Sequence, residues 1–153
     1  MRGVGWPFRR KPEVVVLPLN DEQPWICLQV HNRGKPDTFQ VEVEKLDCVT
    51  MESSSAYYAP WRDNDARELP LVRKQKGIAN IAEIASSSTV SGLKMVELRF
   101  SSVEQDGGYF SWTVPVGSTI TCGINVLRGK FKSIPGTYTL KIDSNGVQFA
   151  RSD

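Results

Sequence analysis

The chain has 153 residues, 40% of them hydrophobic and 24% charged, a balance that fits one folded globular domain and argues against a disordered, fibrous or membrane-threading chain. Nineteen basic against seventeen acidic residues leave a net charge of +2. That field is too weak for a dedicated nucleic-acid binder, and no nucleic-acid partner is expected.

The first twelve residues carry Arg2, Arg9, Arg10 and Lys11 without an Asp or Glu, with Trp6 and Phe8 among them. Cationic side chains meet anionic headgroups and aromatic rings favour the bilayer interface, so Trp6, Arg9, Arg10 and Lys11 are candidate membrane or anion contacts on a tail ahead of a domain spanning 13–153. The same composition also describes a frayed basic terminus. No apolar h-region follows these charges, so the segment does not read as a secretory signal. No apolar run approaches the ~20 residues of a membrane helix.

Period-2 alternation then dominates, and it predicts strands. Val14–Leu17 is an apolar run between Pro12 and Pro18, and Trp25–His31 alternates before the turn Asn32-Arg33-Gly34-Lys35-Pro36. Thr38–Lys45 sets Phe39, Val41 and Val43 against Gln40, Glu42 and Glu44, as in a half-buried antiparallel strand. Residues 50–75 read as a long loop, and long loops are candidate functional surfaces. Gly77–Ala85 has apolar residues at spacings that suit a helix or a strand, and is assigned as a strand with Ile78, Ala82 and Ile84 on one face. The Ser-rich stretch Ala85–Gly92 reads as a loop. Val96–Phe100, Phe110–Val114, Thr119–Leu127, Thr137–Ile142 and Val147–Ala150 complete the strands, the last two joined by the turn Asp143-Ser144-Asn145-Gly146. Eight or nine strands with almost no helix predict an all-β antiparallel sandwich or barrel.

At the level of pattern, WICLQVHNRGKPDTFQVEVEKL (25–46) and APWRDNDARELPLVRKQKGIANIAEI (59–84) resemble successive strands and turns of bacterial immunoglobulin-like sandwich modules. The resemblance implies an immunoglobulin-like sandwich with an accessory or adhesion-like role. It departs from antibody-type domains in two places. Phe39 or Val41 stands where their core Trp is expected. Cys27 and Cys122 also differ in phase: Cys27 alternates out of step with Ile26, Leu28 and Val30, whereas Cys122 is in step with Ile120, Ile124 and Val126. Three cysteines, counting Cys48, are too few for a disulfide framework and suit a reducing, cytoplasmic compartment, including the cytoplasmic face of a membrane.

His31 is the sole histidine, so any Ser/His/Asp or Cys/His mechanism must pass through it, yet no nucleophile elbow or cysteine signature accompanies it. Cys27 and His31 share a strand face but lie ~13 Å apart along it, too far to converge on one zinc ion. Asp63-Asn64-Asp65 with Glu68 supplies hard oxygens for calcium without the turn glycine of a calcium loop. Glu42, Glu44 and Asp47 read as a water-facing strand surface, and the basic clusters 73–76 and 128–132 read as turn and edge solubility. No cofactor, metal or catalytic residue is assigned.

The aromatics are more informative. Trp61, Tyr57 and Tyr58 in the long loop, and Trp25 out of phase with its strand, are candidate ligand-binding residues forming a platform for a sugar ring or a partner side chain. The competing expectation is that such a loop folds its Trp back over the open end of the sandwich. The functional expectation is a non-enzymatic structural or protein-interaction module, as part of a larger membrane-attached protein. The alternative is a sandwich binding carbohydrate or another small ligand through loop aromatics.

Overall fold

In the computed structural model the described residues are 11–19, 25–48, 52–53, 56–104, 108–129, 132–144 and 146–152. They form two antiparallel sheets packed face to face as a sandwich. The strands are β1 (Glu13–Val16), β2 (Trp25–His31), β3 (Asp37–Cys48), β4 (Glu52–Ser53), β5 (Tyr57–Ala59), β6 (Leu69–Leu71), β7 (Lys76–Val90), β8 (Leu93–Ser101), β9 (Tyr109–Pro115), β10 (Thr119–Arg128), β11 (Lys132–Asp143) and β12 (Gly146–Arg151). One sheet runs β1-β2-β7-β8-β9. The other runs β12-β11-β10-β3-β4, with β5 and β6 also paired to β3.

Nine of the twelve correspond to the strands predicted from alternation. The other three, β4, β5 and β6, fall inside the stretch 50–75 that reads as a loop. Each is two or three residues long, shorter than any alternation a sequence window can register. They pair one after another with the free side of β3. The Ser-rich stretch is likewise strand: β7 runs on to Val90 and turns through Ser91 and Gly92, both at positive φ, into β8. Residues 86–90 are exposed on both faces, so no apolar alternation marks them.

β7 also explains the helix-or-strand ambiguity of its first half. Its partner register skips Ile81, because Ile26 faces Ala82 while Cys27 faces Asn80. A β-bulge of this kind puts two consecutive residues on one side and breaks the period of two. The core face therefore carries Ala79, Ile81 and Ala82 rather than Ile78, Ala82 and Ile84. A second bulge at Glu44, where Gly123 faces Lys45 and Ile124 faces Val43, shifts β3 so that Leu46 rejoins Phe39, Val41 and Val43 in the core.

Side chains from both inner faces form one continuous core, with Trp61, Phe39, Phe100, Ile26 and Leu28 among its largest fully buried members. Trp61 sits where the chain passes from one sheet to the other: β5 pairs with β3, and two residues later Trp61 bridges to Ala79 of β7. Gly77 makes room for it, since a Cβ there would lie 3.2 Å from the Trp61 ring and 2.5 Å from Leu69 Cδ2.

Candidate functional site

The expected aromatic platform does not form, because its four residues go to three different places. Trp61 is wholly buried, its indole Nε1 donating to Arg67 O at 3.1 Å. Tyr57 is buried against Phe110, ring edge to ring face at 5.1 Å, and its hydroxyl has no hydrogen-bond partner among the described residues. Tyr58, on the opposite face of β5, lies half-buried under Arg67, whose guanidinium carbon is 3.6 Å from the ring centroid. Neither Trp61 nor Tyr57 has surface to offer a ligand. Trp25, by contrast, lines a cleft.

That cleft, about 350 Å³, opens on the outer face of the five-stranded sheet between Trp25 at one side and Tyr109 at the other. Strand register builds its floor. Trp25 of β2 faces Glu83 of β7, Glu83 faces Arg99 of β8, and Arg99 faces Ser111 of β9, so four strands contribute one row. Arg99 Nη1 lies 3.8 Å from Glu83 Oε1 and Arg99 Nε 3.7 Å from Glu97 Oε2. Both separations are ion pairs too long for hydrogen bonds, and Nε is buried without an acceptor among the described residues. The guanidinium carbon is also 5.0 Å from the Tyr109 ring centroid, within cation–π reach. Glu97 is held from the side by the hydroxyls of Ser86 (3.1 Å) and Ser111 (3.0 Å). Asn80, Asp65 and Ser101 complete the polar rim.

Next to this cleft the outer face is closed by the 61–68 turn. Arg62 crosses β7, donating from Nη2 to Asn80 Oδ1 at 3.2 Å and to Cys27 Sγ at 2.9 Å. Cys27 is off the core face, as its phase predicts, yet buried beneath this guanidinium. Burial pushes its thiol pKa up, and Arg62 offsets only part of that rise, so the site does not generate a reactive thiolate. Cys122 lies in the core between the sheets, and all three cysteines are unbridged.

The turn Asp63-Asn64-Asp65 satisfies itself. Asn64 Oδ1 accepts from Ala66 N and its Nδ2 donates to Glu68 O, both at 2.9 Å. Among the described residues no three His, Cys, Asp or Glu side chains converge as metal ligands. His31 pairs across the strand with Glu13, Nδ1 to Oε1 3.7 Å. Glu42 and Glu44 share one donor, Asn125 Nδ2, at 3.0 and 3.1 Å.

Of the membrane-facing candidates, Trp6, Arg9 and Arg10 lie outside the described residues, and Lys11 is exposed with its carbonyl accepting from Arg33 Nε. Among the described residues no helix is long and apolar enough to cross a membrane.

Sequence reasoning did not select Tyr109, Arg99, Glu83 or Asn80. Glu83 and Arg99 read as ordinary outward polar positions, and only the pairing of four strands brings them into one row with Trp25. Tyr109 precedes the alternation Phe110, Trp112, Val114 and is 42% exposed, an out-of-phase aromatic like Trp25 and so the one member the same signal reaches. No family model, no curated protein and no solved structure matches the chain.

Proposed function

We propose that the chain is a non-enzymatic binding module, an immunoglobulin-like accessory sandwich whose ligand is small, neutral and rich in hydroxyls, with a sugar ring as the chemical class. The observation carrying this reading is the cleft with an aromatic side chain at each wall and a Glu83–Arg99 pair in its floor. A sugar presents an apolar C–H face for Trp25 or Tyr109 and hydroxyls that donate to a carboxylate and accept from a guanidinium. Asp65 and Glu83 against Arg99 leave the lining with a net negative charge, which disfavours phosphates, nucleic acids and acidic headgroups.

The test is titration with cellotriose, maltotriose and diacetylchitobiose, followed by tryptophan fluorescence and calorimetry. Saturable binding of at least one is expected below ~10 mM. Trp25→Ala and Tyr109→Ala should each weaken it at least about tenfold while the melting temperature holds within a few degrees, because neither side chain belongs to the core. No binding by any of the three, or binding indifferent to both substitutions, overturns the sugar reading. A protein-interaction role would use a different feature, the edge of β9 that no described strand pairs.

A further inference from the structure

We infer that the chain associates with a second copy of itself through the edge of β9, joining two five-stranded sheets into one of ten strands. This goes beyond the ligand reading and stands on the backbone.

Unpaired strand edges template further pairing unless something blocks them, and natural proteins block them with charge, proline, shortness or cover. Among the described residues the two sheets present four edges, and three of them are blocked. β1 carries Glu13 and is bracketed by Pro12 and Pro18, β12 lies alongside β1 and ends in Arg151, and the free side of β3 is occupied by β4, β5 and β6 in turn. Among the described residues β9 pairs with β8 alone. Its sequence YFSWTVP has no charge, and its one proline, Pro115, ends the strand beyond Tyr109, Ser111 and Thr113.

The hydrogen-bond phase of that edge follows from its two ends. Ser102 N donates to Gly108 O and Val116 N to Lys94 O, both at 2.9 Å, so the even-numbered residues of β9 turn their amides and carbonyls toward β8. Tyr109, Ser111 and Thr113 therefore turn theirs outward.

An antiparallel second β9 centred on Ser111 satisfies all of them. Ser111 pairs with its own copy, and Tyr109 with Thr113 of the other chain and the reverse, giving six backbone hydrogen bonds about a two-fold axis normal to the sheet. In the same register Phe110 stands opposite Trp112 of the other copy on the core side. Phe110 is already half-buried against Phe100 and Tyr57, so this pairing covers an aromatic flank rather than opening a new one. No like charges meet across the axis. A normal two-fold axis also puts the two Trp25–Tyr109 clefts on the same face of the joined sheet, where a ligand with repeated units engages both.

The full chain is examined by sedimentation equilibrium up to about 200 µM, with no sugar present. The expected mass is twice 17.1 kDa. Thr113→Pro removes an outward amide without touching the β8 ladder, and Ser111→Lys sets two ammonium groups face to face at the axis. Each should raise the dimer dissociation constant at least about 100-fold with the melting temperature of the monomer retained, and Ser111→Lys serves if the proline variant does not fold. A wild-type mass of one chain at every concentration overturns the inference. So does a dimer that persists in a folded variant. Sugar titration of the same proteins separates the two proposals: a chain that binds sugar but never dimerises refutes the edge pairing alone, and a dimer indifferent to sugar supports it while refuting the ligand reading.

Discussion

Trp61→Ala is expected to lower unfolding free energy by about 3–5 kcal/mol, the range for deleting a large aromatic from a packed core. Trp61 is fully buried and contributes more than volume. Its backbone bridges to Ala79, its amide donates to Ala66 O at 3.1 Å, its carbonyl accepts from Asp65 N at 2.8 Å, and its indole fixes Arg67 O. Alanine keeps the backbone bonds, so the loss comes from the cavity and from the unpaired Arg67 carbonyl. Urea unfolding measures it, as a fall in midpoint at unchanged slope. Gly77→Ala supplies the internal check. Its added methyl collides with Leu69 Cδ2 at 2.5 Å and crowds the Trp61 ring at 3.2 Å, so part of its cost should go when the ring is gone, a coupling that a double-mutant cycle reads directly. Equal cost of Gly77→Ala in both backgrounds would refute this account of the contact.

Stability should fall on the alkaline side, and Cys122 is one source of the loss. Burial raises this thiol from its ordinary 9.0 to about 12 in the folded chain. Below pH 9 folded and unfolded chains both hold the proton and stability is complete. Above it the unfolded chain releases the proton while the core cannot, and stability drops by about 1.4 kcal/mol per pH unit until the folded thiol ionises too. The whole window amounts to a loss on the order of 4 kcal/mol. Tyr57, pushed well above its ordinary 10.0 by burial and then by the neighbouring charges of Cys122 and Glu104, adds a second slope of the same sign above pH 10. Cys27 acts in the same direction. Urea midpoints taken between about pH 8 and about pH 11 should decline in wild type. They should decline less steeply in Cys122→Val from pH 9 and in Tyr57→Phe from pH 10. A Cys122→Val profile parallel to wild type would refute the assignment.

Much of the sandwich was legible because its strands obey one rule. Where one face is buried and the other wet, as in Phe39 to Glu44 or Ile120 to Val126, alternation marks both element and inward side. The rule failed where the geometry departs from it. Ile81 and Glu44 sit at bulges that interrupt the period, 86–90 has no buried face, and β4 to β6 are too short to show a period. Phase also separated Cys27 from Cys122, although nothing in the sequence announced that Arg62 would cover Cys27. The candidate site was less legible. An aromatic in a long loop is equally apt to cap a core or to meet a ligand, and Trp61 and Tyr57 do the former. The cleft depends on β2, β7, β8 and β9 lying side by side, an order that strand patterns do not encode.

The position of β3 bears on how fast this chain reaches its native state. β3 is joined along its length to β10, from Ile120 against Cys48 to Arg128 against Phe39, so the centre of the second sheet is closed between residues roughly 70–90 positions apart. On its other side β3 waits for β4, β5 and β6. Each of these pairings needs a loop to close before any contact repays it. Until β10 arrives, β3 presents a long, alternating, half-apolar ribbon with one side open, the segment through which nascent chains would find each other rather than themselves.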